Sequence, residues 1–329
     1  MKTASKRLLR STGLAFMLTA AAVAMQGKAI AQDYPNQDIR LICAFPAGSG
    51  ADVLVRYFAE KLKPIVNRTV IVENKAGAGG NIAAEFVSRA KPDGHVIFVH
   101  AATAVAANMS LFAKPPVDVG KTIQIAATIN RQPFMLLVDA KSPYKTVAEL
   151  TAAMKKKGDA ASYATAAPTG RIMGEIYKNT AGLSAVEVNY KTAPDSLNEL
   201  TSGKPDFGMH DPVFALAQQL AGRLRILAVS TGERLAAVPD LPTMTEAGIK
   251  MDLTGWWAAM VPTGTPQPVI DQINKWFVQI VSSDDAKKFL NSFGGDPYIE
   301  KPDVAHKRFI QDIKDWGDYV RMAKIQPQG

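Results

Sequence analysis

The sequence of 329 residues predicts an α/β fold with two lobes. Short apolar runs alternate with helical patterns through most of the chain, which is typical of mainly parallel sheets flanked by helices. Loops rich in Gly, Ala and Thr follow several of the apolar runs. Two strand-like segments, 134–139 and 253–260, could carry the chain from one lobe to the other and back. We therefore expect two sheets flanked by helices and joined by two crossover strands.

The N-terminus has the pattern of a secretion signal. A basic start is followed by an apolar stretch of 14 residues, 12–25, and then by Ala29-Ile30-Ala31. Small residues in this spacing predict cleavage after Ala31, and the apolar stretch is short for a membrane span. A membrane anchor is the alternative interpretation. Residues 1–31 contain five basic residues and no acid, so their removal lowers the formal charge from +8 to +3.

The mature composition argues against a nucleic-acid-binding protein. No basic stripe with interleaved aromatic residues is present, whereas a mild positive excess suits a small anionic ligand. Cys43 is the single cysteine and lies within an apolar strand, so it is expected to be a small core residue and cannot form an intramolecular disulfide. The stability of the protein must therefore come from packed cores.

The first lobe is expected to contain the residues on both sides of an insertion. Strands are predicted at 39–45, 69–73, 95–99, 123–129 and 256–260, and helices at 52–65, 81–90, 266–282, 284–292 and 302–324. The helix at 52–65 places Leu54, Phe58 and Leu62 on one face. The pattern gives a discontinuous domain made of residues 33–137 and 255–329. Trp256 and Trp257 alternate along the return strand, so one is expected in the core and the other at the cleft or the surface.

The inserted lobe, 138–254, repeats the alternation. Its predicted strands, including the crossover, are 133–138, 162–165, 185–190, 206–209 and 225–230, and a further helix is predicted near 170–180. Thr146 and Glu149 have the spacing of a capping box, which predicts the start of a helix over 146–157. Ligands of open α/β sheets bind beyond the carboxyl ends of the strands, so the loops there are the candidate site.

The loop after the first strand is the strongest candidate for anion binding. Its glycines leave backbone N–H groups accessible, and the following helix N-terminus adds donors and partial positive charge. A carboxylate at Asp52 also suits the first turn of a helix, so a capping role is the alternative for that residue. The candidate ligand contacts here are Phe45, Pro46, Ala47, Gly48, Ser49 and Asp52.

A second loop with the same character lies in the inserted lobe. Small residues and hydroxyl groups again precede a helix, and a facing pair of such loops would hold a carboxylate from both sides. The candidate contacts are Thr165, Ala166, Pro168, Thr169 and Gly170. The alternative for Thr169 is an ordinary helix N-cap.

Other strand ends supply weaker candidates. Ala102 and Thr103 follow the third strand, with Thr103 as a hydrogen-bond donor. Tyr190, His210 and Asp211 end two strands of the inserted lobe. The pair at 210–211 is expected to orient a ligand or its waters, and a structural turn with an Asp cap is the alternative.

The sequence lacks the common signatures of catalysis, nucleotide binding and metal binding. The glycine-rich stretch 73–81 does not have the G-x-G-x-x-G spacing, and no G-x-x-x-x-G-K-[ST] or G-x-S-x-G motif occurs. The four histidines show no metal-ligand spacing. We therefore expect no catalytic residue, no metal and no cofactor. A secreted α/β enzyme acting on a carboxylated substrate is the alternative.

An ordered series of motifs resembles the Bug family, the extracytoplasmic solute receptors of tripartite tricarboxylate transporters. After the signal these motifs are Tyr34-Pro35, the loop 45–52, the stretches 72–82 and 90–94, Tyr190-Lys191, Arg225-Ile226-Leu227-Ala228-Val229, 239–248, Trp256 and 262–266. Each motif is weak alone, but together they span the mature chain in order. Two loops depart from the family pattern: Ala47 and Ser49 stand where glycine is common, and 165–170 lacks a Gly-Ser-x-Gly-x-Gly pattern.

The resemblance implies a periplasmic binding protein of the two-lobed type II, or Venus-flytrap, class. Such a receptor captures an organic carboxylate in the cleft and delivers it to the membrane subunits of the transporter. The family implies that the loops 46–52 and 165–170 grip the carboxylate through backbone and hydroxyl groups. We expect a monomer, and presentation of the ligand to a sensor protein is the alternative output.

Overall fold

The computed structural model describes residues 34–190 and 192–329, and the predicted signal peptide lies outside them. The described chain forms a six-stranded and a five-stranded sheet, both flanked by helices. This two-lobed α/β architecture agrees with the prediction. Among the described residues, no helix is both long enough and apolar enough to cross a lipid bilayer.

The first lobe is built on the six-stranded sheet. Its strands are β1 (Ile39–Cys43), β2 (Val70–Asn74), β3 (Val96–Ala101), β4 (Ile123–Gln132), β10 (Gly255–Pro262) and β11 (Asp296–Pro297). They lie in the order β11-β4-β10-β3-β1-β2. β1 runs parallel to both β2 and β3, whereas β10 is antiparallel to β3 and β4. The sheet is therefore mixed, because the returning crossover strand enters it from the opposite direction.

The second lobe is built on the five-stranded sheet. Its strands are β5 (Met135–Asp139), β6 (Ser162–Thr165), β7 (Val186–Asn189), β8 (Phe207–His210) and β9 (Leu224–Val229). They lie in the order β7-β6-β8-β5-β9. β6 is parallel to β7 and β8, and β5 is antiparallel to β8 and β9. Since β5 pairs wholly within this sheet, we place the lobe boundary near residue 133 rather than at 137.

Helices cover both sheets. They are α1 (Gly50–Val66), α2 (Asn81–Ser88), α3 (Ala102–Leu111), α4 (Val119–Thr122), α5 (Val147–Lys157), α6 (Pro168–Ala181), α7 (Ala193–Thr201), α8 (Pro212–Leu220), α9 (Gln267–Val281), α10 (Asp284–Ser292) and α11 (Pro302–Met322). The predicted capping box is confirmed, because Thr146 accepts from the Glu149 N–H while the Glu149 carboxylate accepts from the Thr146 N–H.

Strand β10 runs through the centre of the first lobe, and every one of its residues is buried. Trp256 packs in a cluster with Ile42 and Phe98, and its Nε1 donates to Asp312 Oδ2 at 2.7 Å. Trp257 points to the opposite face of the sheet and is only 6% exposed. Neither tryptophan is therefore at the surface, but Trp256 is among the residues that line an interlobe cavity of about 420 Å³. Helices cover both faces of this central strand, so both alternating positions are core positions.

The two connections between the lobes are tied together by Ser230, which is fully buried. Its hydroxyl accepts from the Phe134 N–H at 2.8 Å and donates to the Leu253 carbonyl at 2.6 Å. Its backbone N–H donates to the Phe134 carbonyl, and its carbonyl accepts from the Leu253 N–H, both at 2.9 Å. Phe134 lies on the outgoing connection and Leu253 on the returning one. One serine thus fixes the spacing of the two segments that join the lobes.

Replacing Ser230 with Ala should destabilise the protein. The Phe134 N–H and the Leu253 carbonyl would each lose a buried partner, so we expect the free energy of unfolding to fall by about 1–3 kcal/mol. Urea denaturation followed by circular dichroism measures this loss. Ser202→Ala is the control, because that hydroxyl donates to the Glu199 carbonyl on an exposed helix end. Equal stability of the two variants would contradict a structural role for Ser230.

Candidate functional site

The lobes face each other across the carboxyl ends of the parallel strands. A methyl group placed on Gly50, at the start of α1, would lie 3.7 Å from Val213 Cγ1 in α8 of the other lobe. Gly294 approaches α8 more closely, since a methyl group there would lie 2.8 Å from Pro212 Cβ. These contacts set the loop after β1 beside the end of β8. The loops after β1 and β8 therefore border one cleft, and Ala166 and Ala167 of the loop after β6 line an interlobe cavity.

Asp52 organises the loop after β1 from the inside. Its side chain is 1% exposed, and its carboxylate accepts from the Gly48 N–H at 2.8 Å, Arg56 Nε at 2.8 Å and Asn74 Nδ2 at 2.7 Å. Asn74 Nδ2 also donates to the Phe45 carbonyl at 2.9 Å. Burial opposes ionisation of Asp52, but these hydrogen bonds outweigh it and lower the pKa of its carboxyl. Asp52 therefore shapes the loop from within.

The outer surface of this loop is rich in unused donors. Pro46, Ala47 and Gly48 are exposed, and Gly48 adopts a positive φ of 81° that glycine accommodates without strain. Within the described part of the chain, the N–H groups of Ala47, Gly50 and Ala51 make no hydrogen bond. The Ser49 hydroxyl caps α1 by accepting from the Asp52 N–H at 3.2 Å, so its own proton is available to a ligand.

Phe45 forms an aromatic base beneath the loop. It is half-buried and lies 5.0 Å from His100 and 6.1 Å from Trp257, measured between ring centroids. Burial lowers the pKa of His100 to about 3, so the imidazole is neutral at physiological pH. Neither ring nitrogen of His100 has a hydrogen-bond partner among the described residues. This packing holds Phe45 in place at the start of the loop after β1.

Thr165 has a different role from the one expected. The residue is fully buried, and its hydroxyl donates to Glu187 Oε1 at 2.7 Å. Glu187 also forms an ion pair with Arg171, with 2.8 Å between Oε2 and Nε. The hydroxyl proton of Thr165 is therefore used within the lobe. Sequence spacing could not indicate this, because the contact depends on the pairing of β6 with β7.

Helix α6 begins earlier than a Thr169 cap would require. Ala167 is its N-cap and makes no side-chain cap, whereas Pro168 and Thr169 lie within the first turn. The alternative of Thr169 as an N-cap is therefore not observed. A methyl group on Gly170 would lie 2.5 Å from the Met209 carbonyl oxygen, so only glycine allows the helix to approach β8 this closely. The Thr169 and Gly170 N–H groups make no hydrogen bond among the described residues, and Ala166 is half-buried beside them.

Ala102 and Thr103 occupy the first turn of α3, where both are buried, with 0% and 4% exposed. They pack beneath the cleft surface. Tyr190 is half-buried at the end of β7, and its N–H donates to the Thr165 carbonyl at 2.8 Å. Of these three residues, Tyr190 is the one that lines an interlobe cavity.

His210 and Asp211 form hydrogen bonds with different partners. The His210 Nε2 lies 2.8 Å from the Ser196 hydroxyl, and burial lowers the pKa of the imidazole to about 4. Ser196 and His210 are 0% and 4% exposed, so a substrate has no access to this serine–histidine pair. Asp211 is exposed and caps α8 by accepting from the Phe214 N–H at 3.0 Å. The cap that was the alternative interpretation for 210–211 is thus present.

Four residues of the site were not singled out from the sequence. Asn74 and Arg56 complete the bonds around Asp52, and Glu187 and Arg171 complete those around Thr165. A signal for two of them existed, because Asn74 ends β2 and Glu187 lies two residues before the end of β7. Polar residues there reach the carboxyl edge of a sheet.

A cavity that belongs to the first lobe lies away from this cleft. Its volume is about 610 Å³, and Arg40, Phe86 and His95 are among its lining residues. It opens at the amino ends of β1 and β3, the edge opposite to the one where open α/β sheets bind ligands. Within the described residues, no three His, Cys, Asp or Glu side chains are grouped to hold a metal ion.

Comparisons with known proteins agree with the two-lobed α/β fold. The model of the tripartite tricarboxylate transporter family receptor matches residues 54–324. A UPF0065 protein of Bordetella bronchiseptica is 32% identical over 301 residues, covering 90% of this chain and 89% of that protein. The structure of R. palustris Rpa4515 with adipate is 26% identical with a TM-score of 0.78, and that of periplasmic binding protein BugD is 26% identical with a TM-score of 0.74. Each of these two alignments covers 90% of this chain and 100% of the chain in the solved structure.

Replacing Asp52 with Asn should weaken the loop after β1 in a pH-dependent way. Loss of the charge should lower the free energy of unfolding at pH 7 by about 1–3 kcal/mol. The pKa of Asp52 is lower in the folded protein than its ordinary 3.8, so its stabilisation is present above that pH and is lost as pH falls through the folded-state value. The difference between wild type and variant should therefore be largest near pH 7 and shrink below about pH 4.

Urea denaturation at pH 7, 5 and 3.5 measures this difference. Glu60→Gln is the matched control, because Glu60 is an exposed carboxylate on the same helix. A stability difference between wild type and Asp52→Asn that does not change with pH would show that the Asp52 charge does not hold the loop.

Proposed function

Since the chain belongs to the tripartite tricarboxylate transporter receptor family, we propose that it is a periplasmic receptor that closes its lobes on an organic carboxylate. It then delivers the ligand, as a monomer, to the membrane subunits of a tripartite tricarboxylate transporter. The predicted signal peptide and the family support the periplasmic location. The neighbour described with adipate, a dicarboxylate, supports the class of ligand.

The observation that carries the proposal is the pair of loops with unused backbone donors. The Gly50 and Ala51 N–H groups lie at the start of α1 and that of Ala47 lies in the loop before it, while those of Thr169 and Gly170 lie at the start of α6. Helix N-termini favour anions because unpaired N–H groups and the helix dipole both point at the ligand. Two such termini from different lobes give a carboxylate donors on either side.

Closure of the two lobes strengthens the hydrogen bonds to the carboxylate. The contacts of Gly50 and Gly294 with α8 show that the lobes meet beside the loop after β1. Water excluded from the cleft no longer competes for the donors, and bonds to a charged acceptor are stronger than those to a neutral one. We propose that Pro46, Ala47, Gly48 and Ser49 contact the carboxylate from one lobe, and that Ala166, Thr169 and Gly170 contact it from the other.

Carboxylate binding should raise the melting temperature of the purified mature protein. Binding to the folded state alone stabilises it by mass action, by about 2.7 kcal/mol at a ligand concentration one hundred times the Kd. A thermal-shift panel of monocarboxylic, dicarboxylic, tricarboxylic and aromatic acids, with neutral sugars as controls, measures the effect. Shifts confined to the sugars would contradict the proposal.

Ser49 tests whether the first loop contacts the ligand. Its hydroxyl proton is free to donate, so Ser49→Ala should weaken binding by about 1–3 kcal/mol, or roughly 5- to 150-fold in Kd. Isothermal titration calorimetry with the best acid of the panel measures this. Ser283→Ala is the matched control, because Ser283 caps α10 by accepting from Ala286 N at the same 3.2 Å. An equal affinity of both variants would show that the Ser49 hydroxyl does not contact the ligand.

A further inference from the structure

A cavity between the lobes borders the loop 165–170 but not the loop 45–52. Its volume is about 280 Å³, enough for a carboxylate and several methylene groups. Arg171, Glu187, Asn189 and Tyr190 line it from the second lobe, next to Ala166 and Ala167. No residue of the stretch 45–52 lines it. It therefore lies on the far side of the loop 165–170 from the loop after β1, and we infer that a ligand held between the two loops reaches it past Ala166.

The first lobe supplies a fixed wall to this cavity. After α11 the chain returns, and Ile325, Gln326 and Gln328 face the second lobe. The Gln328 N–H donates to the Leu111 carbonyl, and the Gln328 carbonyl accepts from the Ala113 N–H, both at 2.8 Å. These bonds anchor the tail to the end of α3. The cavity thus has walls from both lobes, as a ligand-binding cleft requires.

Glu187 is committed to partners within its own lobe. Its Oε1 accepts from the buried Thr165 hydroxyl at 2.7 Å, and its Oε2 lies 2.8 Å from Arg171 Nε. This contact is an ion pair without hydrogen-bond geometry, since Arg171 Nε has no hydrogen-bond partner among the described residues. Glu187 therefore faces the guanidinium on its Nε side through charge alone. Within the described residues, neither terminal nitrogen of Arg171 makes a hydrogen bond, so both remain for a ligand.

The other polar groups of this wall also offer donors. The Asn189 Oδ1 lies 3.4 Å from the Thr165 hydroxyl, which leaves its amide nitrogen for the cavity. Burial, together with the charge of Glu199, raises the pKa of Tyr190, so the phenol keeps its proton at physiological pH. An arginine fork beside neutral donors matches a planar anion with two acceptor oxygens.

We propose that this cavity is the subsite for a second acidic group of the ligand, and that Arg171 is the residue that makes the protein prefer dicarboxylates to monocarboxylates. The inference rests on the proposed receptor function, since the first carboxylate is held by the two loops. Arg171 binds the second carboxylate through its terminal nitrogens. Glu187 and Thr165 are positioning residues that aim the guanidinium.

The test compares acids of equal chain length. Calorimetry gives the Kd of succinate, glutarate and adipate, and of butyrate, valerate and hexanoate, for the purified mature protein. Wild type should bind at least one dicarboxylate about 10- to 100-fold more tightly than its matched monocarboxylate, as a charge-assisted bidentate contact predicts. Arg171→Gln should remove most of that preference, measured as the ratio of the monocarboxylate Kd to the dicarboxylate Kd within the same variant. Arg171→Lys should keep part of it, because a lysine supplies charge without the fork.

Two further variants separate positioning from folding. Glu187→Gln should reduce the preference less than Arg171→Gln does, because the guanidinium stays but loses its ionic anchor. Arg89→Gln is the matched control: Arg89 also pairs with a glutamate, Glu85, at 2.6 Å, but lines the cavity at the opposite edge of the first lobe. The Arg89→Gln variant should prefer dicarboxylates to monocarboxylates as strongly as wild type does. Circular dichroism and melting temperature establish that each variant is folded.

The outcomes distinguish this subsite from the proposed function. If a folded Arg171→Gln variant keeps the wild-type preference for dicarboxylates over monocarboxylates, the proposed subsite is wrong. The proposed receptor function would be unaffected by that result. Equal wild-type affinity for dicarboxylates and monocarboxylates would also overturn it. If wild type binds no acid of either series, the subsite is refuted for these acids, and the wider thermal-shift panel decides the receptor function separately.

Discussion

The hydrogen bonds of Ser230 are the constraint on which the rest of the cleft depends. The two loops are placed by different sheets, and those sheets are joined by just the segments around Phe134 and Leu253 in the described chain. Four hydrogen bonds to one buried residue hold these segments side by side. A hinge of this kind can bend, but the segments cannot slide past each other without breaking buried bonds. The carboxyl edges of the two sheets therefore remain opposed.

Each lobe uses a carboxylate to build the surface that we propose meets the ligand. In the first lobe Asp52 gathers the Gly48 N–H, Asn74 and Arg56, and in the second Glu187 gathers Thr165 and Arg171. In both cases donors satisfy the acid inside the protein. What remains on the cleft side is a set of N–H and guanidinium donors. The negative charges thus fix the geometry of a surface that attracts an anion.

The sequence was sufficient to predict the alternation of strands and helices, the capping box at Thr146 and the loops at the strand ends. These features are local, since periodicity and turn chemistry operate over a few residues. The roles of Asp52 and Thr165 were not predictable in the same way. Asn74 lies 22 residues from Asp52, and Glu187 lies 22 residues from Thr165. Each partner is brought close by the pairing of neighbouring parallel strands, and a single sequence does not reveal which side chains that pairing joins.

Pairing Arg171 with Glu187 also has a physical logic for a receptor that must release its ligand. A lone guanidinium enclosed by the closing lobes would lose hydration without compensation whenever the cleft is empty. Glu187 supplies that compensation, so the empty cleft carries no unpaired charge at this position. A ligand carboxylate must then share the guanidinium with Glu187, which weakens the bond relative to an undivided ion pair. In the proposed receptor, this sharing would combine recognition of an anion with release of the ligand to a second protein.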